Sequence, residues 1–172
     1  MGGMFTNNPG HLTSFDYIGF YRYFLTFCTD QRHRHFVVPE HVEIVLQQIV
    51  RAAADAGFAI VAYCFMPDHL HLLVEAQSED SDGRQFIKRA KQFSGFYFKQ
   101  TCCTPLWQRY GFEHVLRDDE ATLGVARYIL DNPVRAGLVA RVEDYPFAGS
   151  MLYPLAEILA AVQLMPASRK SG

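Results

Sequence analysis

The chain has no apolar run approaching the roughly 18 residues of a membrane-crossing helix, and its start, Met1-Gly2-Gly3-Met4-Phe5, lacks the basic segment and apolar core of a secretory signal. These absences predict a soluble, cytoplasmic protein with no membrane association. Its four cysteines, Cys28, Cys64, Cys102 and Cys103, show no CxxC spacing. They are expected to be reduced and non-ligating, as in the cytosol. A surplus of charge is missing too. The formal net charge is −2, so any nucleic-acid binding has to come from a local basic surface, and charge alone points away from DNA. With no internal repeat and no low-complexity tract, 172 residues read as one domain able to bury about two thirds of the surface of its unfolded chain.

What is present is an alternation of strand and helix signals. Residues 1–16 carry Gly, Asn, Pro and Ser without periodicity, and the tail after Met165 is small and polar, so both ends are expected to fray. Tyr21 to Thr29 reads as a buried strand rich in aromatic and β-branched residues. Pro39 suits the first turn of a helix, Val42, Val45, Leu46, Ile49 and Ala53 recur at three and four residues, and Gly57 stands where the helix should stop. Phe58–Phe65 and His69–Glu75 read as two strands of a hairpin broken at Met66-Pro67-Asp68.

A polar loop over 77–83 precedes a helix from Arg84 to about Lys99 that mixes Phe86, Ile87, Phe93, Phe96 and Tyr97 with five basic residues. It suits either contact with phosphates and bases or an ordinary amphipathic role with a solvated face. Leu106–Leu116 reads as an aromatic strand. Asp118 or Asp119 caps a helix that should end at Asn132, because a proline follows it, with a short second helix from Pro133 to Gly137.

Within the hairpin lies the most informative run, Met66-Pro67-Asp68-His69-Leu70-His71-Leu72-Leu73-Val74. Alternation along a strand sends His69 and His71 to one face and Leu70 and Leu72 to the other. Two neutral imidazoles held by backbone geometry form half of a divalent metal site, although a histidine in an apolar run also serves as a hydrogen-bonded core residue. Tyr128 and Asn132, four apart, share a helix face. A tyrosine can attack a phosphodiester and conserve the bond as an ester; since it ionises near pH ~10, it needs a cation or base beside it. The alternatives are a core aromatic at 128 and a helix-terminal residue at 132.

Together these residues carry a family resemblance. His69-Leu70-His71 resembles the histidine, hydrophobic, histidine signature of the HUH nucleases, and its surroundings resemble the metal strand of the single-tyrosine transposases. Leu106-Trp107-Gln108-Arg109, Phe112-Glu113-His114, Arg127-Tyr128-Ile129-Leu130-Asp131-Asn132-Pro133-Val134-Arg135-Ala136-Gly137-Leu138-Val139 and Tyr145-Pro146-Phe147 resemble the REP-associated tyrosine transposases in the same order. Asp16-Tyr17 and Tyr23–Thr29 resemble their opening strand.

The resemblance implies a flexible N-terminus over 1–14, a ferredoxin-like α+β domain over 15–150, and a C-terminal extension over 151–172, partly helical or flexible. That domain would be an antiparallel sheet with helices on one side, the histidine strand facing the tyrosine helix. It further implies that Tyr128 is the nucleophile and that His69, His71 and Asn132 hold a divalent metal, magnesium or manganese. The implied reaction is cleavage of single-stranded, hairpin-forming DNA through a 5′-phosphotyrosine and a free 3′-hydroxyl, by a monomer or homodimer. Departures from the pattern are Asp68, where relatives often have Asn, and Ala148-Gly149-Ser150 in place of a serine pair. Trp107, Gln108 and Arg109 are candidates for DNA contact or, for Trp107, for core packing. Two other readings remain: a domesticated protein that binds DNA hairpins without cleaving them, and a phosphohydrolase in which water attacks.

Overall fold

The computed structural model describes residues 19–116 and 119–163, with the backbone alone at Asp119 and Glu120. The expectations for residues 1–16, for Asp16-Tyr17, for the helix cap at Asp118 or Asp119 and for the tail after Met165 lie outside the described residues. No helix among those described is long and apolar enough to cross a membrane.

The elements follow in the order β1 (Arg22–Cys28), α1 (Pro39–Ala56), β2 (Phe58–Met66), β3 (His69–Ala76), α2 (Gly83–Cys102), β4 (Phe112–Leu116), α3 (Asp119–Arg135), β5 (Ala148–Gly149) and α4 (Leu155–Gln163). The strands form one sheet in the order β4-β1-β3-β2-β5, antiparallel at every pairing. With α1 joining β1 to β2 and α2 joining β3 to β4, this is the expected ferredoxin-like α+β arrangement.

Local chemistry accounts for the boundaries. Pro39 occupies the first turn of α1, where its missing N–H has no intrahelical partner to lose, and Gly57 closes the helix in the left-handed region at φ 74°. Asp82 caps α2 by accepting from the Gln85 amide at 3.1 Å. Pro67 and Asp68 form the two-residue connection of the β2–β3 hairpin, between Met66 and its partner His69. That turn is pinned to the end of β1: the Thr29 amide donates to the Asp68 carbonyl at 3.0 Å, the Thr29 hydroxyl lies between the His33 and Asp68 carbonyls at 2.7 and 2.9 Å, and the Phe36 amide donates to the Pro67 carbonyl at 3.0 Å.

One face of the sheet, with Tyr23, Leu25, Phe27, Leu70, Leu72 and Val74, packs with α1 and α2. The other, with Phe24, Cys64, Met66 and Leu73, packs with α3 and α4. Helices therefore cover both faces, not one as the resemblance implied. The reason is composition: β2, Phe58–Met66, is apolar along nearly its whole length, and Phe24 of β1 and Leu73 of β3 add to its second face, so a single helical layer would leave those side chains in water, at about 2 kcal/mol for each large one. Residues Ile158, Leu159 and Val162 of α4 belong to this second core.

Two further expectations are corrected. Only Phe112–Leu116 of the segment 106–116 is a strand, while Trp107 makes a single bridge to Thr29. Between them Gly111 passes so close to β1 that a Cβ there would sit 2.8 Å from the Thr26 carbonyl oxygen. And α3 does not stop at Asn132; it runs through Pro133 to Arg135 and ends at Gly137, φ 72°. The helix carries on through Pro133 without the backbone donor that an ordinary residue would supply there, and the Asn132 side-chain amide donates to the Tyr128 carbonyl at 2.9 Å in the same turn.

Candidate active site

His69 and His71 point together toward the α3 face of the sheet, with ring centroids 4.7 Å apart. Each imidazole is held at Nδ1. His69 meets the Asp68 carboxylate at 2.7 Å, and His71 meets the hydroxyl of Thr26, its cross-strand partner on β1, at 2.8 Å. A carboxylate can only accept, so Asp68 fixes the tautomer of His69 with Nδ1 protonated and the Nε2 lone pair outward. Asp68 is itself gripped by Arg32, whose Nε donates at 2.9 Å. Arg32 reaches that position from a turn in which Gln31 and Arg32 both adopt positive φ, 51° and 57°, a costly conformation for residues other than glycine.

Electrostatics favours the deprotonated forms that a cation needs. Burial opposes ionisation of Asp68, but the hydrogen bonds from His69 and Arg32 and the nearby Arg32 charge outweigh it and hold the carboxyl below its ordinary range. His71 is only 6 % exposed. Burial, reinforced by His69, Arg135 and Arg32, pushes its pKa down to about 3, so the ring is neutral at physiological pH.

Tyr128 lies over this pair from α3, its ring 5.7 Å from His71 and 5.8 Å from Phe24 in edge-on contacts. It is 41 % exposed, so its hydroxyl is within reach of solvent. Arg135, seven residues on, sets its guanidinium 4.3 Å from the centre of the Tyr128 ring. Three of the four site residues expected from the sequence therefore come together. Asn132 sits one turn beyond Tyr128 with its amide turned back onto the helix, and no hydrogen bond joins it to either imidazole. Among the described residues no three His, Cys, Asp or Glu side chains cluster as a metal cage. The side chains that could hold a metal are thus the two imidazoles, with Asn132 as an amide one turn beyond Tyr128.

Arg135, Arg32 and Thr26 were missed in the sequence. Arg135 had a findable signal, its i+7 spacing from Tyr128, once α3 is continued through the proline. Trp107 packs against Phe27 and Phe36 and donates its indole N–H to Ser94 at 2.8 Å, so it serves the core. Arg109 is exposed, with its guanidinium 5.3 Å from the Tyr110 ring. On α2, Phe86, Ile87 and Phe98 are buried while Lys88, Phe96, Tyr97 and Lys99 face solvent.

A ferredoxin-like sheet that presents paired histidines beneath a helix-borne tyrosine is the arrangement that the resemblance to the tyrosine transposases implies. The chain belongs to the IS200-like transposase family, whose profile matches residues 20–131. It is similar to the REP-associated tyrosine transposase of Escherichia coli, 25 % identical over 118 residues covering 69 % of this chain and 70 % of that protein. A Haemophilus influenzae protein of the same description is 28 % identical over 138 residues, 73 % of this chain and 77 % of that one. A solved structure of a REP-associated tyrosine transposase bound to a REP hairpin superposes with a TM-score of 0.66 at 26 % identity, over 77 % of this chain and 78 % of the other. The protein is an enzyme of the tyrosine transposase class, acting on DNA.

Proposed function

We propose that this transposase cleaves single-stranded DNA beside a hairpin by attack of the Tyr128 hydroxyl on a phosphodiester. The Tyr128 Oη–phosphorus bond forms and the bond from phosphorus to the 3′ oxygen breaks. The tyrosine proton leaves to solvent, and the departing oxygen takes up a proton as a free 3′-hydroxyl. The 5′-phosphotyrosine conserves the bond for reversal onto another strand. The observation that carries this reading is the contact of Tyr128 with His71, itself 4.7 Å from His69.

A magnesium or manganese ion, when bound, would neutralise charge on the non-bridging phosphate oxygens. His69 and His71 would hold it through Nε2, and Asn132 would complete the site through Oδ1, a role compatible with an amide whose nitrogen is already engaged with Tyr128. Arg135 adds positive charge beside the phenol as negative charge builds on its oxygen. Hairpin DNA is the favoured substrate because the solved relative holds a REP hairpin. Tyr128, His69 and His71 come together within one chain, with Asn132 one turn beyond Tyr128, so a monomer suffices, working in the cytoplasm where DNA is accessible.

The test is denaturing electrophoresis of the protein after incubation with labelled hairpin DNA bearing single-stranded flanks and Mn²⁺. A covalent adduct that vanishes in Tyr128→Phe is the expected result. Cleavage without an adduct would transfer the chemistry to water, and binding without cleavage would favour a domesticated hairpin-binding protein.

A further inference from the structure

Beside Tyr128 and His71 the structure opens into a cavity of about 670 Å³ between β4, β1 and α3, within the ~300–1,000 Å³ range of ligand sites. Its walls include Phe24, Phe112, Leu116 and Val125, with Thr26 and His114 as polar groups. Its helical side is small: Ala121 and Gly124 lie three and four residues before the next members of the stripe that ends at Tyr128.

Gly124 is exposed on α3 and lines the cavity. Glycine is the poorest helix former after proline, yet this one sits inside α3 without a positive φ. A Cβ at Gly124 would meet nothing within 4 Å, so packing does not demand its absence either. What glycine preserves there is open space in the cavity. Any larger side chain on that face of α3 would project into it.

We infer that this cavity receives an unstacked nucleobase from the strand that Tyr128 cleaves, with Gly124 and Ala121 kept small to admit it. The inference rests on the tyrosine nuclease reading above and deepens it by locating where a base beside the scissile phosphate is read. Three features select a base over other occupants. The cavity shares Tyr128 and His71 with the reacting centre, so a nucleotide joined to the phosphate is the group tethered next to it. Its aromatic walls offer faces and edges for stacking, which every base can use. Its few polar groups, Thr26 and His114, can address a base edge, as sites for extruded bases do. Extrusion costs least in single-stranded DNA, the form expected beside the hairpin.

The experiment measures binding, not cleavage. Hairpin DNA carrying single-stranded flanks is titrated against the protein without divalent metal, with one abasic residue placed at each flank position in turn. Wild type should lose about ten-fold in affinity at one position, the order expected when one stacked base is removed. Gly124→Leu and Ala121→Leu, both changes to good helix formers, should bind the intact DNA about ten-fold more weakly and lose the abasic penalty at that position. Thermal melting confirms that each variant is folded.

If no flank position shows a penalty, or if both leucine variants keep it, the base is not housed here and the inference is overturned. A Tyr128-dependent adduct formed alongside that result would leave the nuclease reading standing. Absence of any binding to hairpin DNA by folded wild type would overturn both this inference and the proposed substrate.

Discussion

The guanidinium of Arg135 lies over the face of the Tyr128 ring, 4.3 Å from its centre, two helical turns away on the same side of α3. A cation at that distance stabilises negative charge building on the phenol, and a contact of this kind is worth roughly 0.5–2 kcal/mol. Arg135→Ala should therefore slow adduct formation in single-turnover assays by about three- to thirty-fold. Arg135→Lys, which keeps the charge but not the planar stacking, should recover part of the rate. Equal rates for all three proteins would remove Arg135 from the reaction.

A second prediction concerns Asp68, which joins Arg32 to His69. Partners that orient a metal-binding imidazole typically matter ~10–100-fold in metal affinity. Calorimetric titration with Mn²⁺ should show a loss of about that size in Asp68→Ala. Asp68→Asn, which can still accept at Nδ1 through its amide oxygen, should lose less. Affinity unchanged in both variants would show that the Asp68 contact does not prepare His69 for a cation.

These two contacts mark the limits of what could be read from the chain. The paired histidines were legible because strand alternation is a two-residue rule, and β3 obeys it from His69 to Ala76. Gly57 and the Pro67-Asp68 turn were legible because positive φ and a missing donor are local requirements. Arg135 was hidden because Pro133 argues for a break, whereas α3 carries on through that proline to Arg135. Thr26 was hidden for a different reason: its bond to His71 joins residues 45 apart in the chain and exists only once β1 pairs with β3. Asp68 was visible only as a departure from Asn, since its role depends on Arg32 arriving from a strained turn. The second helical layer followed from apolar residues at both parities of β2, a pattern that overrode the one-sided arrangement implied by resemblance.

The buried part of β2 predicts sensitivity to alkali. Burial pushes the Cys64 thiol up to about 12, and burial also raises the Tyr63 and Tyr145 phenols. Each group keeps its proton more tightly in the folded chain than in the unfolded one. Their contribution to stability is therefore whole below the unfolded values and declines as the pH climbs from the ordinary thiol value near ~8.5 toward 12. Urea unfolding at a pH about two units above the thiol value should show roughly 2–3 kcal/mol less stability than at pH ~8 from Cys64 alone. Cys64→Ala, less stable at neutral pH for loss of packing, should show a visibly smaller decline. A parallel decline in both proteins would assign the sensitivity to other groups.

Two glycines in helices make opposite predictions from the same substitution. Gly83 opens α2 directly against β1, and a Cβ there would stand 2.6 Å from the Tyr23 ring, whose side chain is fully buried and has no room to retreat. Gly83→Ala should destabilise by about 1–3 kcal/mol, the cost of overpacking a filled core. At Gly124 a Cβ meets nothing within 4 Å, and the backbone is already helical. There alanine removes conformational freedom from the unfolded chain and suits the helix better, so Gly124→Ala should stabilise by roughly 0.5–1 kcal/mol. Chemical denaturation of the two variants beside wild type decides the matter. A midpoint that falls for Gly124→Ala would mean that the space beside it is not open, whereas a rise would show that the chain retains a less stable residue at the wall of the cavity next to Tyr128.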